Sequence, residues 1–211
     1  MTNYWESKFR DGGSIWSFEP SDSAMISVEE FKKKGLNNIL IPGIGYCRNA
    51  RLFIDKGFSI TGIEISESAI NVARANKMDC IIHHGSVTDM PFDTKVYDAV
   101  FCYALIHLLN KHERKHFLNS CFNQIKTNGL MIFIVTSKKM DLFGKGRYLS
   151  KDRFEIEPGL KVFFYDTNSI VREFSPFGLV EFREIEEPVK FMKGVDPLGL
   201  YFVVCRKGDL M

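Results

Sequence analysis

Short apolar runs typical of buried strands alternate along the chain with longer amphipathic stretches that have helical spacing. The candidate strands are residues 38–41, 58–64, 79–83, 97–103 and 130–136. Each run is bounded by Gly, Asn or Asp, and a helix-length segment separates it from the next. This alternation predicts a parallel sheet covered by helices.

The pattern changes in the last third of the chain. A helical stretch at 166–174 precedes two β-rich runs, 179–186 and 200–206, whose connection contains Pro and Gly but no helix. Two strands joined without a crossover helix must pair antiparallel. The sequence therefore predicts an α/β fold of Rossmann-like, doubly wound type. Its seven-stranded sheet is mostly parallel and is closed by an antiparallel C-terminal hairpin.

Composition narrows the possible partners. The 211 residues are 45% apolar, which suits a single domain over 1–211, and 28 basic and 26 acidic side chains occur in mixed order. No polybasic run indicates nucleic acid or an anionic membrane, and no apolar run approaches the ~20 residues that span a bilayer. The start, MTNYWESKFRDGG, lacks the apolar core of a signal peptide. We expect a cytoplasmic protein without nucleic-acid or membrane partners; the oligomeric state stays open.

A glycine-rich segment, PGIGYCRN, carries the main candidate chemistry. Gly43 and Gly45 follow a buried strand and precede a helix, so the backbone can approach a ligand closely. The helix that starts near Tyr46 offers free N–H groups to a polar or anionic ligand. Glu64 ends the second strand, where an acid can accept both hydroxyl protons of an adenosine ribose. The unit predicts an adenosine-containing ligand.

Both NAD and S-adenosylmethionine contain adenosine. The NAD fingerprint calls for a third glycine at position 48, but Arg48 stands there. S-adenosylmethionine has no pyrophosphate to seat against the helix and tolerates a side chain, and Arg48 can face its carboxylate. The residues favour S-adenosylmethionine. An NAD(P)-dependent Rossmann oxidoreductase and a non-catalytic S-adenosylmethionine-binding protein remain as alternatives.

The glycine segment resembles motif I of class I S-adenosylmethionine-dependent methyltransferases, especially small-molecule enzymes of the tellurite-resistance and thiopurine type. The resemblance continues in GSVTDMPF (85–92), YDAVFCYALIHLL (97–109) and IKTNGLMIFIV (125–135). The chain departs from the family pattern at three positions, which are Pro42, Cys47 and Ser86.

The resemblance implies a small-molecule acceptor and conversion of S-adenosylmethionine to S-adenosylhomocysteine. The cofactor-binding positions that it implies are Gly43, Gly45, Cys47, Arg48, Glu64, Ile65, Ser86, Val87 and Tyr103. It places the acceptor above the fourth and fifth strands. There, His107 is a candidate general base or substrate contact, with a packed loop histidine as the alternative.

Two flanking segments are candidates for covering the site. Residues 1–36 are expected to form an N-terminal helical lid, in which Trp16 or Phe18 closes over the methyl-transfer site. Residues 137–166 are too long for an ordinary connection and are expected to form a substrate-covering insertion. Its residues Lys145 and Arg147 suit an acidic or aromatic acceptor. A solvated insertion is the alternative.

The sequence HERKH at 112–116 matches the zinc-binding pattern HExxH. The central pair of a buried zinc helix is normally uncharged, whereas Arg114 and Lys115 occupy it here. We therefore expect no metal and interpret HERKH as the solvated face of a helix. The apolar side of that helix is predicted at Phe117, Leu118, Cys121 and Ile125. The five scattered cysteines lack CxxC spacing and are expected to be reduced and mostly buried.

Overall fold

The computed structural model describes residues 2–13, 16–190 and 194–208. The helices within these ranges are α1 (Thr2–Gly12), α2 (Asp22–Lys33), α3 (Arg48–Asp55), α4 (Glu67–Ala75), α5 (Lys111–Asn123) and α6 (Thr167–Phe174). The strands are β1 (Asn38–Pro42), β2 (Ser59–Glu64), β3 (Ile81–His84), β4 (Tyr97–Tyr103), β5 (Ile125–Thr136), β6 (Arg147–Ser150), β7 (Arg153–Glu157), β8 (Leu160–Phe163), β9 (Leu179–Glu187) and β10 (Leu198–Arg206). No helix in these ranges is long and apolar enough to cross a membrane.

Seven strands form the main sheet in the order β3-β2-β1-β4-β5-β10-β9. Strands β1 to β5 run parallel, whereas β10 pairs antiparallel with both β5 and β9. The predicted fold class is confirmed, including the antiparallel hairpin. From β1 the chain adds β2 and β3 on one side, and it then returns to add β4 and β5 on the other side. The strand order therefore reverses between β1 and β4. Ligands of open α/β sheets bind beyond the carboxyl ends of the strands at such a switch point.

The central strands are apolar because helices cover both faces of the sheet. Alternate residues of one strand point to opposite faces. On one face, Leu40, Val100 and Phe133 belong to a buried cluster. On the other face, Ile39 and Phe101 belong to a second buried cluster. Continuous apolar runs, rather than alternating ones, are the consequence of this double burial.

Side-chain caps fix where several helices begin. The hydroxyl of Ser66 accepts a hydrogen bond from the Ala69 N–H at the start of α4. Asp166 accepts from the Ser169 N–H, so α6 begins one residue after the predicted boundary. Such caps satisfy backbone N–H groups that have no partner inside the helix.

Residues 137–166 fold into a second, three-stranded antiparallel sheet in the order β6-β7-β8. Its strands are only four or five residues long and mix charged with apolar positions, so the hydrophobic pattern did not predict them. Phe154 and Phe164 pack with Leu108, which follows β4. The insertion is thus joined to the main sheet through an apolar contact near the carboxyl edge.

The HERKH segment lies at the start of α5. Its histidines, His112 and His116, are exposed, and no three His, Cys, Asp or Glu side chains in the described ranges are grouped as metal ligands. The predicted apolar residues are buried, although the last of them begins β5 instead of continuing α5: Phe117, Leu118, Cys121 and Ile125. The expectation of a solvated face is wrong at Arg114, which is only 3% exposed.

Arg114 is buried because it has a partner that lies far away in the sequence. Its Nε and Nη2 atoms donate to the two carboxylate oxygens of Glu173 at 2.8 and 2.7 Å, in a bidentate pair between α5 and α6. The guanidinium also lies 4.0 Å from the ring centre of Phe163. The planar guanidinium hydrogen-bonds to a carboxylate along its edge and stacks on an aromatic ring with its face. These two interactions replace the hydration that the cation loses on burial.

Glu173→Gln should destabilise the protein by about 3–5 kcal/mol, because removal of one partner leaves a buried charge uncompensated. The measurement is the free energy of unfolding in urea at pH 7. His116→Gln, an exposed change on the same helix, is the control and should stay within about 0.5 kcal/mol of wild type. The double variant Arg114→Met/Glu173→Leu should lose much less free energy of unfolding than Glu173→Gln, because it leaves no unpaired charge buried. A loss for Glu173→Gln no larger than the control's would contradict the buried pair.

Candidate cofactor site

The glycine loop after β1 is held in a left-handed backbone conformation. Gly43, Gly45 and Cys47 have φ angles of 69°, 60° and 68°. Glycine adopts such angles without steric cost, whereas a side chain such as that of Cys47 does so at some cost. A Cβ atom on Gly43 would lie 3.1 Å from the side chain of Leu105, so the loop after β4 approaches this glycine closely.

The carboxylate of Glu64 joins this loop to the end of β2. Its side chain is 6% exposed, and Oε2 accepts from the Gly45 N–H at 2.8 Å. Oε1 accepts from the Ile65 and Ser66 N–H groups at 2.9 and 2.8 Å. Burial raises the pKa of Glu64 above its ordinary value, and the three N–H donors oppose that rise. A carboxylate offers about four acceptor positions, so one remains for a ligand hydroxyl.

Arg48 begins α3, two residues later than the predicted start near Tyr46. Its guanidinium lies 5.2 Å from the ring centre of Tyr103, the last residue of β4. Burial raises the pKa of Tyr103, and the nearby cation of Arg48 opposes this effect. Two predicted cofactor residues from different βα units therefore lie together at the carboxyl edge of the sheet.

The end of β3 brings in a third group of predicted residues. The Gly85 N–H donates to the Glu64 carbonyl at 2.9 Å, which aligns this segment with the end of β2. Ser86 caps a short 3₁₀ turn, and its hydroxyl accepts from the Thr88 N–H at 3.2 Å. Val87 is 7% exposed. The sheet thus gathers the loops after β1, β2 and β3 at one edge.

Trp16 and Phe18 lie against Tyr46 of the glycine loop. The Tyr46 hydroxyl accepts from the Trp16 N–H at 3.1 Å and donates to the Ser17 carbonyl at 2.5 Å. The Phe18 ring lies 5.2 Å from the Tyr46 ring, edge to face, and is 37% exposed. The segment before α2 is therefore attached to the loop that precedes α3.

Helix α1 connects two parts of this edge. The Glu6 carboxylate accepts from the Ser66 and Ser68 hydroxyls at 2.7 and 2.6 Å, at the start of α4. Tyr4 donates to Glu157, the last residue of β7. No sequence pattern indicates a role for Glu6, because its partners lie about sixty residues away and are small hydroxyl residues without a motif of their own.

His107 does not occupy the place that its predicted role requires. The ring is 5% exposed, and Nδ1 accepts from the Thr136 N–H of β5 at 3.4 Å. Burial lowers the pKa of His107 to about 3, and the cation of Arg114 contributes to this shift. A general base needs access to the reacting proton. The structure therefore corrects the expectation: His107 is a packed, neutral histidine between the loop after β4 and β5.

The two basic residues predicted to contact the acceptor lie on the outside of the insertion. Lys145 is exposed, and Arg147 is exposed and paired with Glu155, with 3.0 Å between Nε and Oε2. The structure does not bring them to the loops at the sheet edge. Arg153 of β7 instead donates from Nη2 to the Leu108 carbonyl at 3.2 Å. This partly buried cation faces the segment after β4 and was not among the predicted residues.

Comparison with known proteins agrees with this geometry. A family profile described as "Methyltransferase domain" matches residues 39–129, which include the loops after β1, β2, β3 and β4. A protein of Geobacillus sp. (strain WCH70), whose name assigns it provisionally to the methyltransferases, is 26% identical over 132 residues. The match covers 59% of this chain and 53% of the relative, so the chain spans about half the length of that relative.

Solved structures share most or nearly all of this fold. The 1,6-didemethyltoxoflavin-N1-methyltransferase of Burkholderia thailandensis, with bound 1,6-didemethyltoxoflavin and S-adenosylhomocysteine, has a TM-score of 0.74 at 14% identity, covering 99% of this chain and 87% of its own. An S-adenosylmethionine-dependent methyltransferase of Methanosarcina mazei has a TM-score of 0.70 at 17% identity, with coverage of 82% and 92%. One from Clostridium acetobutylicum has a TM-score of 0.69 at 11% identity, with coverage of 98% and 97%. These structures confirm the predicted fold, and the profile match confirms the resemblance to a methyltransferase domain over residues 39–129.

The burial of His107 generates a pH prediction. Its folded pKa of about 3 lies below the value of about 6.5 for an unfolded chain. Between these values the unfolded state binds more protons, so the free energy of unfolding should fall as the pH falls from about 6.5 towards 3. His107→Gln should remove up to about 1.4 kcal/mol per pH unit of that slope. Urea unfolding at a series of pH values measures it.

The exposed histidine variant His112→Gln is the matched control for this experiment. An unchanged slope in His107→Gln would mean that the ring takes up its proton as readily in the folded protein as in the unfolded chain, and His107 would return as a candidate acid–base group.

Proposed function

We propose, from the match of residues 39–129 to a methyltransferase domain and from the fold shared with S-adenosylmethionine-dependent methyltransferases, that the chain transfers a methyl group from S-adenosylmethionine to a small-molecule acceptor. S-adenosylhomocysteine is the product. The observation that carries the proposal is the buried carboxylate of Glu64, bonded to the N–H of Gly45 within the part of the chain that matches a methyltransferase domain.

The cofactor contacts that we propose follow from the chemistry of each group. Glu64 has an acceptor position left for a ribose hydroxyl. Arg48 supplies a cation for the methionine carboxylate, and Tyr103 lies beside it. The remaining proposed contacts, which shape the loop or border the adenine, are Gly43, Gly45, Cys47, Ile65, Ser86 and Val87.

The bound cofactor supplies a methyl group that is already activated on a sulfonium. The chain's own residues therefore act by binding both reactants, aligning them and excluding water. No proton acceptor is proposed at His107, because that ring is buried against β5. An acceptor atom that is nucleophilic without deprotonation fits this site best.

Several observations support a small molecule as the acceptor. The Burkholderia methyltransferase with the same fold was crystallised with a small molecule, 1,6-didemethyltoxoflavin. The 28 basic and 26 acidic side chains occur in mixed order, without a polybasic run of the kind that binds nucleic acid. We propose that α1, the segment at Trp16 and Phe18 and the insertion at residues 137–166 surround the acceptor.

Two further parts of the proposal concern the alternatives and the compartment. The antiparallel β9–β10 hairpin differs from a plain dinucleotide fold, which disfavours the NAD(P)-dependent oxidoreductase. The free thiols of all five cysteines suit a reducing compartment, and we propose a cytoplasmic location.

Calorimetric titration should detect S-adenosylhomocysteine binding to the wild-type protein and weaker binding to Glu64→Ala. The expected loss is about 1–3 kcal/mol, the scale of hydrogen bonds to a charged group. The ligand should also raise the melting temperature by linkage, whereas NAD should not. Glu67→Ala, an exposed acid three residues further along, is the control and should bind like wild type.

Two results would count against this function. Stabilisation by NAD but not by S-adenosylhomocysteine would reverse the choice of cofactor. Wild-type affinity in Glu64→Ala would remove the acid from the ribose contact. Methyl transfer itself is measured with a radiolabelled methyl group and a panel of small nucleophiles.

The contacts of α1 generate a kinetic prediction. Glu6→Ala removes the acceptor for the Ser66 and Ser68 hydroxyls and should loosen α1 from α4. If α1 is the proposed lid, S-adenosylhomocysteine should dissociate several-fold faster, with a smaller change in association, because mutational effects on related complexes lie mostly in dissociation. Stopped-flow displacement measures the rate, with the exposed Glu29→Ala as control. Equal dissociation rates in both variants would show that α1 does not retain the ligand.

A further inference from the structure

Two cysteines that are distant in sequence lie together beside the glycine loop. The sulfurs of Cys47 and Cys80 are 3.8 Å apart. Cys47 is the N-cap of α3 and follows the glycine loop, whereas Cys80 directly precedes β3. Neither is in a disulfide.

The two thiols have different environments. Cys47 is fully buried, whereas Cys80 is partly exposed. A hydrogen bond with Cys47 lowers the pKa of the Cys80 thiol, and the same bond, with burial, raises the pKa of Cys47. Thiolates are the reactive form of cysteine, and access to solvent decides which one is oxidised. Cys80 is therefore the thiol that reacts first.

The other three cysteines provide a contrast. Cys102, Cys121 and Cys205 are buried, and burial raises the pKa of each thiol. Buried thiols of this kind are inert. Among the five cysteines, only Cys80 is partly exposed to solvent, and its sulfur lies beside that of Cys47 next to the glycine loop.

We propose that Cys47 and Cys80 are an oxidation site, at which a peroxide converts the pair into a reversible disulfide that lowers the affinity of the glycine loop for S-adenosylmethionine. In the first step the Cys80 thiolate attacks hydrogen peroxide, gaining one oxygen as a sulfenic acid and releasing hydroxide, which takes up a proton to form water. In the second step the Cys47 sulfur attacks the Cys80 sulfur, and the hydroxyl group leaves as water with the Cys47 proton. Overall, two thiols and one peroxide give one disulfide and two waters. A small dithiol reverses the reaction by exchange.

The effect on the loop follows from disulfide geometry. A disulfide holds its sulfurs at about 2.05 Å, so the two atoms must approach each other from 3.8 Å. Cys47 already has a left-handed φ of 68°, and it lies two residues after Gly45, whose N–H is bonded to Glu64. A displacement of Cys47 is therefore transmitted to the groups that the proposed function assigns to the cofactor. Only this effect on affinity rests on the proposed function; formation of the disulfide does not.

The test treats the wild-type protein with hydrogen peroxide and digests it without reduction. Mass spectrometry should find a peptide pair that joins Cys47 to Cys80 and is lighter by two hydrogens. S-adenosylhomocysteine affinity, measured by calorimetry on the same sample, should fall at least tenfold and recover after dithiothreitol. Cys80→Ser should bind the ligand before treatment and keep its affinity after it, which controls for oxidation elsewhere in the chain.

Two outcomes would overturn the inference. Absence of the linked peptide, with Cys80 either intact or oxidised to sulfinic acid, would refute the disulfide. A linked peptide together with unchanged affinity for S-adenosylhomocysteine would refute the proposal that the disulfide weakens cofactor binding by the glycine loop. If the reduced protein does not bind S-adenosylhomocysteine, the proposed cofactor fails, and the linked peptide still decides whether the thiol pair reacts.

Discussion

The arrangement of the site depends on the buried carboxylate of Glu64. It accepts hydrogen bonds from the N–H groups of Gly45, Ile65 and Ser66, and so joins the loop after β1 to the loop after β2. Ser66 in turn caps α4 and donates to Glu6 of α1. One anion at the end of one strand thus organises a loop, a helix start and the covering helix. Removal of this carboxylate would leave three backbone donors in need of new partners.

This arrangement has an energetic cost that is characteristic of a functional site. Because burial raises the pKa of Glu64 in the folded state, its contribution to stability is greatest below the unfolded pKa and is lost as the pH rises through the folded pKa. The ionised form of Glu64 is therefore less favourable in the fold than in water. A buried acid with a raised pKa at a sheet edge is a candidate functional group. Glu64 ends β2, which lies beside β1, one of the two strands that flank the switch point.

The elements that can be predicted from the sequence are those with a local hydrophobic periodicity. Apolar runs predict the parallel strands, and the connection without a helix predicts the β9–β10 hairpin. The glycine loop was also predictable. Gly43 and Gly45 are the residue type that adopts positive φ angles, and Glu64 is an acid at the end of a predicted strand. The boundary of β5 was missed by five residues, since its first part contains an irregularity at Asn128, where φ is 66°.

What sequence did not predict depends on partners that are distant along the chain. Arg114 is buried because Glu173 lies 59 residues away, and a helical pattern alone makes it a surface residue. His107 is at the expected edge in sequence, but the Thr136 N–H draws its ring towards β5. The short strands of the insertion are stabilised by packing against Leu108 rather than by their own pattern. Tertiary contact overrides local preference at each of these positions.

The central claim is that Glu64 and the glycine loop hold the adenosine end of S-adenosylmethionine. A crystal structure of the protein with S-adenosylhomocysteine tests it most directly. The account predicts that a ribose hydroxyl lies within hydrogen-bond distance of the Glu64 carboxylate, with the amino-acid end of the ligand towards Arg48. Ligand bound elsewhere, with the Glu64 carboxylate contacting only its own backbone, would contradict it.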